Sequence, residues 1–304
     1  MSFPDTAVIV LAGITLVAAF VNGALGYGFS SLTVPVALVF TTNRVLNPAL
    51  VVVEVFINLY VLFINRAGVS NVWRRVLPIL IGLLPGIAVG SFFLASLNPG
   101  WIKFFTYAAL LPLILIQASG LRRPISRERL FGLPFGLGLG FLYSVTTVSG
   151  PPMAILFNNQ GLVKTDFRAG LSIIRVAESS LTAIAYYHLG LFTAESRGTL
   201  LAIIPSVLVG IPLGAYFIRR LDAETFRRIC MSFDAWVVGF GLSRVLTELK
   251  VADAPWAYAV MAAAVLIDAW LLTVFFKRRR PADAPIEART PALAQRAPST
   301  APSA

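Results

Sequence analysis

Apolar residues run through this chain in long blocks that charge rarely interrupts. Residues 7–43 hold no ionisable side chain but Tyr27, residues 76–102 hold none, and residues 198–218 hold only Tyr216. A bilayer core about 30 Å thick is crossed by roughly 20 apolar residues in helix. On that scale the pattern predicts full spans over residues 45–65, 76–94, 101–119, 169–189, 199–218, 226–246 and 256–276. The alternation over segments of about ten residues that a closed barrel needs is missing. Two more stretches, 7–41 and 131–160, are too long for one span and too short for two. Each carries a Gly- and Pro-rich interruption: Gly23-Ala24-Leu25-Gly26-Tyr27-Gly28 through Pro35, and Ser149-Gly150-Pro151-Pro152. Glycine and proline weaken or remove helical hydrogen bonds. Each stretch therefore reads as a hairpin of one long helix, a break inside the membrane and a short returning helix. From Pro281 onward the chain is rich in Pro, Ala and Ser without apolar periodicity, which predicts a disordered tail over 281–304.

The basic residues test this layout. The segments 66–75, 122–129, 164–168, 219–228 and 277–280 fall on one side and hold 17 Lys and Arg, against five on the other (Arg44, Lys103, Arg197, Arg244 and Lys250). That bias predicts a cytoplasmic C-terminus and an external N-terminus. The halves also resemble each other. Leu84-Pro85-Gly86-Ile87-Ala88-Val89-Gly90-Ser91-Phe92-Phe93-Leu94 aligns without gaps to Leu208-Val209-Gly210-Ile211-Pro212-Leu213-Gly214-Ala215-Tyr216-Phe217-Ile218. Val34-Pro35 likewise matches Pro151-Pro152. The charge assignment puts segment 66–75 inside and its counterpart near 190–198 outside, so the repeats are inverted. The expected fold is an all-α integral membrane protein. Residues 1–120 form one repeat, 121–247 the inverted second, each opening on a broken hairpin, and 248–280 an extra C-terminal transmembrane helix.

Composition narrows the chemistry. Apolar residues make up 57% and charged residues 13%, with mean hydropathy +0.80, whereas soluble domains are about a quarter charged. Nothing basic precedes Arg44, so the first block is not a secretory signal. One cysteine, Cys230, and one histidine, His188, predict no disulfide, metal site or cofactor. The net charge of +11 sits at span ends, where it fixes orientation, which argues against nucleic acid as a partner. No Walker loop, HExxH pair or nucleophile elbow is present, so neither ATP drive nor an enzyme activity has a motif. Arginine far exceeds lysine and alanine is abundant, a composition of GC-rich bacterial genomes, which suggests a bacterial inner membrane.

Inverted repeats with paired broken helices occur in secondary transporters, whose site lies near the midplane. A broken helix bares N–H groups at a positive dipole end and binds anions there. The Gly23–Pro35 stretch, its partner around Gly150-Pro151-Pro152 and the inverted repeat resemble the TauE/SafE family over about residues 8–246. Members often carry a tighter Gly-Gly-Gly cluster in both halves. Here Tyr27 and Phe29 stand among the glycines, and Thr146-Thr147-Val148-Ser149 precedes Gly150. The resemblance implies a carrier of sulfite, a short organosulfonate or a related oxyanion. An integral-membrane enzyme or assembly factor of sulfur metabolism and a passive anion channel are the alternatives.

Candidate residues follow. Arg175 reads as the only basic residue well inside a span, with a planar fork suited to oxyanions; neutralisation by Glu178 at i+3 is the competing reading. Glu54 and Glu178 are candidates for proton coupling. Asn22, Ser30, Ser31, Thr33, Thr146, Thr147 and Ser149 offer polar groups at the breaks, with Gly26, Gly28 and Gly150 at their backbones and Tyr27 placed to close a pocket. Asn58 reads as a helix-contact residue, Asp268 as a helix-contact or oligomer residue, and His188 as an interface residue. Expected partners are the small anion, protons and the lipid bilayer, with a homo-oligomer left open.

Overall fold

The computed structural model describes residues 5–25, 28–120, 128–158, 164–217 and 222–279. Gly26, Tyr27 and the tail from Pro281 lie outside the described residues, as do the expectations placed on them. Every regular element among the described residues is helical. The order is α1 (Asp5–Leu25), α2 (Phe29–Ala37), α3 (Asn43–Ile64), a 3-10 turn (Arg66–Gly68), α4 (Val69–Ser96) and α5 (Pro99–Ala118). Then come α6 (Glu128–Thr146), α7 (Gly150–Asn158), α8 (Lys164–His188), α9 (Ala194–Phe217), α10 (Ala223–Glu248), α11 (Ala254–Ala257) and α12 (Ala259–Arg279).

By length and composition, α1, α3, α4, α5, α9, α10 and α12 provide the seven described helices apolar enough to cross a membrane. Their outward faces carry a belt that water would not tolerate: Phe56, Phe92, Leu201, Leu208, Leu266 and Trp270 are all exposed. This is a multi-pass membrane protein. Helix α8, predicted from sequence as a full span, has the length but is not one of the seven. Its polar residues Ser172, Arg175, Glu178, Ser179 and Thr182 are all buried, so its polarity faces protein.

The stretches 7–41 and 131–160 are each divided into a long and a short helix. Helices α2 and α7 have nine residues each, about 14 Å at 1.5 Å per residue, too short to span. Each break holds a residue in the left-handed region: Gly28 at φ 106° in the first, Thr147 at φ 56° in the second. Glycine enters that region freely, whereas a β-branched side chain crowds its own backbone there. Thr147→Gly is therefore expected to stabilise the protein by about 0.5–1 kcal/mol, the relieved strain exceeding glycine's added chain entropy. A thermal melt in detergent reads this as a higher midpoint; a lower midpoint would mean that the Thr147 hydroxyl bond to the Thr146 carbonyl outweighs the strain.

Helix α1 packs along α9 and α4 along α6, while α3 meets α8 and α5 meets α10. Helix α2 rests on α10 and α7 on α5, and α4 touches α8 as α3 touches α9. Interchanging α1–α5 with α6–α10 turns each of these pairings into itself or another. The two longest seams are built on small residues. A Cβ added at Gly82 or Gly86 would strike the Leu133 or Leu137 carbonyl of α6, and one at Gly214 the Phe20 carbonyl of α1. Close backbone approach replaces side-chain burial as the driving force where lipid is as apolar as leucine.

Carbonyls freed at the breaks and at helix ends are satisfied from distant helices. The Tyr107 hydroxyl donates to Pro35 O at 2.9 Å and the Tyr186 hydroxyl to Ser144 O at 2.5 Å. The Asn43 and Asn47 amides both reach Val145 O, at 3.2 and 2.7 Å. Arg44 donates to the Leu94, Ala95 and Leu97 carbonyls at the end of α4, a cation at a helix C-terminus.

Candidate functional site

Glu54 and Arg175 lie near the middles of α3 and α8, and Glu178 one turn beyond Arg175. All three are buried: Arg175 is 4% exposed, Glu54 2% and Glu178 0%. Buried charge demands partners, and the breaks supply several. The Ser30 hydroxyl at the start of α2 donates to Glu54 Oε1, and the Tyr143 hydroxyl near the end of α6 donates to Glu54 Oε2 at 2.6 Å. The Ser149 hydroxyl, just before α7, donates to Glu178 Oε2 at 2.7 Å. Each break thus delivers one serine to one buried glutamate on a central helix.

Arg175 is served less well. Its nearest carboxylate is Glu54 Oε1, 3.8 Å from Nη2, and its Nε has no hydrogen-bond partner among the described residues. It pairs with Glu54 across helices rather than with Glu178 on its own. An arginine carries five N–H donors, and Glu54 already accepts from Ser30 and Tyr143. Glu178 Oε1 is also unpartnered. Asn58 Nδ2 lies 3.5 Å from the Arg175 carbonyl and the Ser179 hydroxyl donates to that carbonyl at 2.7 Å, so the α3–α8 contact foreseen for Asn58 holds.

The other candidates divide. Thr33 is fully buried and its hydroxyl has no partner among the described residues. Gly28 and Ser31 line a separate cavity of about 30 Å³ against α10. Asn22 lines another, of about 200 Å³, with Tyr60, Asn65 and Arg168. Thr146 and Thr147 do not reach the cluster: Thr146 donates to Leu142 O at 2.7 Å and accepts the Val148 N–H at 3.0 Å, and Thr147 donates to Thr146 O at 2.7 Å. Their hydroxyls cap the break. The half-helix ends also differ. The first turn of α2 offers the N–H groups of Phe29, Ser30 and Ser31, whereas Gly150 at the start of α7 is followed by Pro151 and Pro152, which have none.

Sequence reasoning missed Tyr143, whose only signal is a phenol beside a break. The basic-residue pattern also placed Arg228 in the segment 219–228, at the end of a span. Arg228 is buried in α10, 2.8 Å from Asp268 of α12, with the Trp236 indole donating to the same carboxylate at 3.1 Å. Arg175 is therefore not the only buried cation, and the helix-contact reading of Asp268 holds. Among the described residues no cluster of His, Cys, Asp or Glu is placed to hold a metal ion.

The sulfite exporter TauE/SafE family matches residues 11–242. The chain belongs to that family. It is therefore a membrane transporter of the sulfur-anion class and not an enzyme. The probable sulfite/organosulfonate exporter TauE of Cupriavidus necator is 26% identical over 188 residues, covering 59% of this chain and 70% of that protein. No solved structure matches. The matched residues end before α11 and α12.

Proposed function

We propose that this protein is a secondary transporter that carries sulfite or a short organosulfonate across the bacterial inner membrane by alternating access, with Arg175 as the anion-binding residue. The observation that carries this reading is the poor satisfaction of Arg175: a buried guanidinium that, among the described residues, has an unpartnered Nε and one long carboxylate contact. Two oxygens of a sulfite or sulfonate group supply the fork-matched acceptors that the protein withholds. Ser30 and Ser149 sit on the two break segments beside it, and the first-turn N–H groups of α2 add donors. Alternating access then moves α2 and α7 against the α3–α8 core.

Two carboxyls, Glu54 and Glu178, accompany this one guanidinium. Adding an anion to that set requires a proton on one carboxyl, because like charges in a low-dielectric site repel strongly. Binding of the anion and of a proton are thereby linked. The neighbour exchange between α1–α5 and α6–α10 supports two repeats, 1–120 and 121–247, with 248–280 as an added helix. The basic-residue bias supports their inversion, with the N-terminus outside and the C-terminus in the cytoplasm. The Cupriavidus relative's name favours export.

Thermal shift of the detergent-purified protein tests the substrate class. A ligand that binds only the folded state raises its stability by RT ln(1 + [L]/Kd), about 2.7 kcal/mol at a hundredfold excess over Kd. Sulfite or an organosulfonate such as taurine or sulfoacetate is expected to raise the midpoint where sulfate and acetate do not. Equal shifts from all of these anions would sink the sulfur-anion assignment. Saturable counterflow of labelled sulfite in liposomes separates a carrier from a channel.

A further inference from the structure

Away from the Arg175 cluster, a small cavity opens where the two broken segments meet the α5–α10 pair. Gly28 and Ser31 of the first break, Pro151 of the second, Gln117 of α5 and Asp234 of α10 contribute to its wall, and its volume is about 30 Å³. Two buried polar atoms on that wall, Asp234 Oδ1 and Gln117 Nε2, have no hydrogen-bond partner among the described residues. Asp234 is only 6% exposed. Room for a water and polar atoms to hold it are the two requirements for a hydrated site, and this cavity meets both.

We propose that Asp234 is a second proton-binding site of the transporter, exchanging its proton with water in this cavity and controlling closure of the seam between the broken segments and the α5–α10 pair. The inference rests on the carrier reading above and concerns a different carboxyl from those beside Arg175. Its geometry gives a route. Arg227, Cys230 and Asp234 line the cavity together, as residues three or four apart on one helix face do. From Arg227 to Asp234 is about 10 Å of rise. Arg227 is part-exposed and 3.9 Å from Glu224, so its end of the stripe touches the aqueous side.

Among the described residues none forms an ion pair with Asp234. On α10, Arg227 faces Glu224, and Arg228 is committed to Asp268 of α12. Cys230 lies one turn away on the same wall. On α5, Lys103 keeps company with Arg244 and Glu248 at the far end of α10, and the Tyr107 hydroxyl is bound to the Pro35 carbonyl. The described cavity-lining residues of α1, α2 and α7 are Val21, Leu25, Gly28, Ser31, Leu32 and Pro151, none of which ionises. With the seam shut, an ionised Asp234 is an uncompensated charge in a low-dielectric site; protonated, it is a neutral donor and acceptor. The seam therefore closes on the protonated acid. When the proton leaves for a water molecule, which becomes hydronium, the charge holds the seam open to water, whereas a neutral side chain lets it both open and close.

The test is the pH profile of labelled-anion exchange in liposomes, with equal pH on both sides. Sulfite is run beside methanesulfonate, whose charge does not change over the range. Wild-type exchange of methanesulfonate is expected to fall by up to about tenfold per pH unit once Asp234 loses its proton. Asp234→Asn, a permanent mimic of the neutral acid, is expected to exchange with a flat profile, and Asp234→Glu to restore the pH dependence. A pH dependence unchanged in Asp234→Asn overturns the proposal. So does loss of exchange at every pH in a variant that still melts cooperatively. An infrared carbonyl band of a protonated buried carboxyl, present in wild type and missing in Asp234→Asn, reports the site without any substrate; no difference in that band also overturns it. If wild type exchanges neither anion while the band is present, the substrate reading falls and the proton site stands.

Discussion

Arg175→Gln removes anion transport while the protein still inserts and folds. Among the described residues the guanidinium is the one buried cation facing the break segments through Ser30 and Glu54, and a charge-assisted fork to an oxyanion is worth about 3 kcal/mol, or roughly two orders of magnitude in affinity. Removing one member of a buried ion pair commonly costs 3–5 kcal/mol of stability. Here the loss is expected near the lower bound of that range or beneath it, because the contact is 3.8 Å long and Glu54 keeps Ser30 and Tyr143. Counterflow of labelled sulfite, read beside a detergent melt, separates the two effects. Arg175→Lys retains the charge but not the fork and is expected to transport with affinity weakened about tenfold. Transport at the wild-type rate in Arg175→Gln would remove this residue from the site.

The second large effect is structural. Gly86→Ala and Gly214→Ala each place a methyl group against backbone: Gly86 faces the Leu137 carbonyl and Gly214 the Phe20 carbonyl. No rotamer relieves such a clash, so α4 must move from α6, or α9 from α1. The expected loss is about 3 kcal/mol or more, at or beyond the upper end of overpacking effects. It appears as a lowered melting midpoint and a lost monodisperse peak in size-exclusion chromatography. Gly138→Ala is the control, since nothing lies within 4 Å of its added Cβ; there the helix gains about 1 kcal/mol from alanine's propensity. Equal melting of the two kinds of variant would show that the seams are looser than the contacts imply.

Both experiments bear on how the site is built. The glutamates are held from the break segments by Ser30 and Ser149, and Tyr143 adds a third hydroxyl from the helix that leads into the second break. Any motion of α2 or α7 therefore changes the hydrogen bonding of a buried carboxyl. That coupling is physical rather than positional: a glutamate that loses a donor without water to replace it must take a proton or find another partner.

Much of this protein is set by local sequence. Charge-free blocks of bilayer length can only be helices in lipid, because every backbone group must find its partner within the segment, and so the spans and both interruptions are visible without coordinates. Arg175, Glu54 and Glu178 stand out equally, since a charge in an apolar block is rare enough to demand a role. What the tertiary structure alone decides is which face of each helix meets which neighbour. Ser30 and Ser149 gain importance over Thr146 and Thr147 only because helix rotation aims the serines at glutamates and turns the threonines onto their own backbone. Arg228 lies beside basic neighbours in sequence, and only the packing of α12 onto α10 pairs it with Asp268. Asp234 carries no sequence signal of its own, and only the packing of the breaks against α10 puts it on a cavity wall. Periodicity is a property of one helix. Partnership belongs to two, and the distances that set it act between residues far apart in the chain.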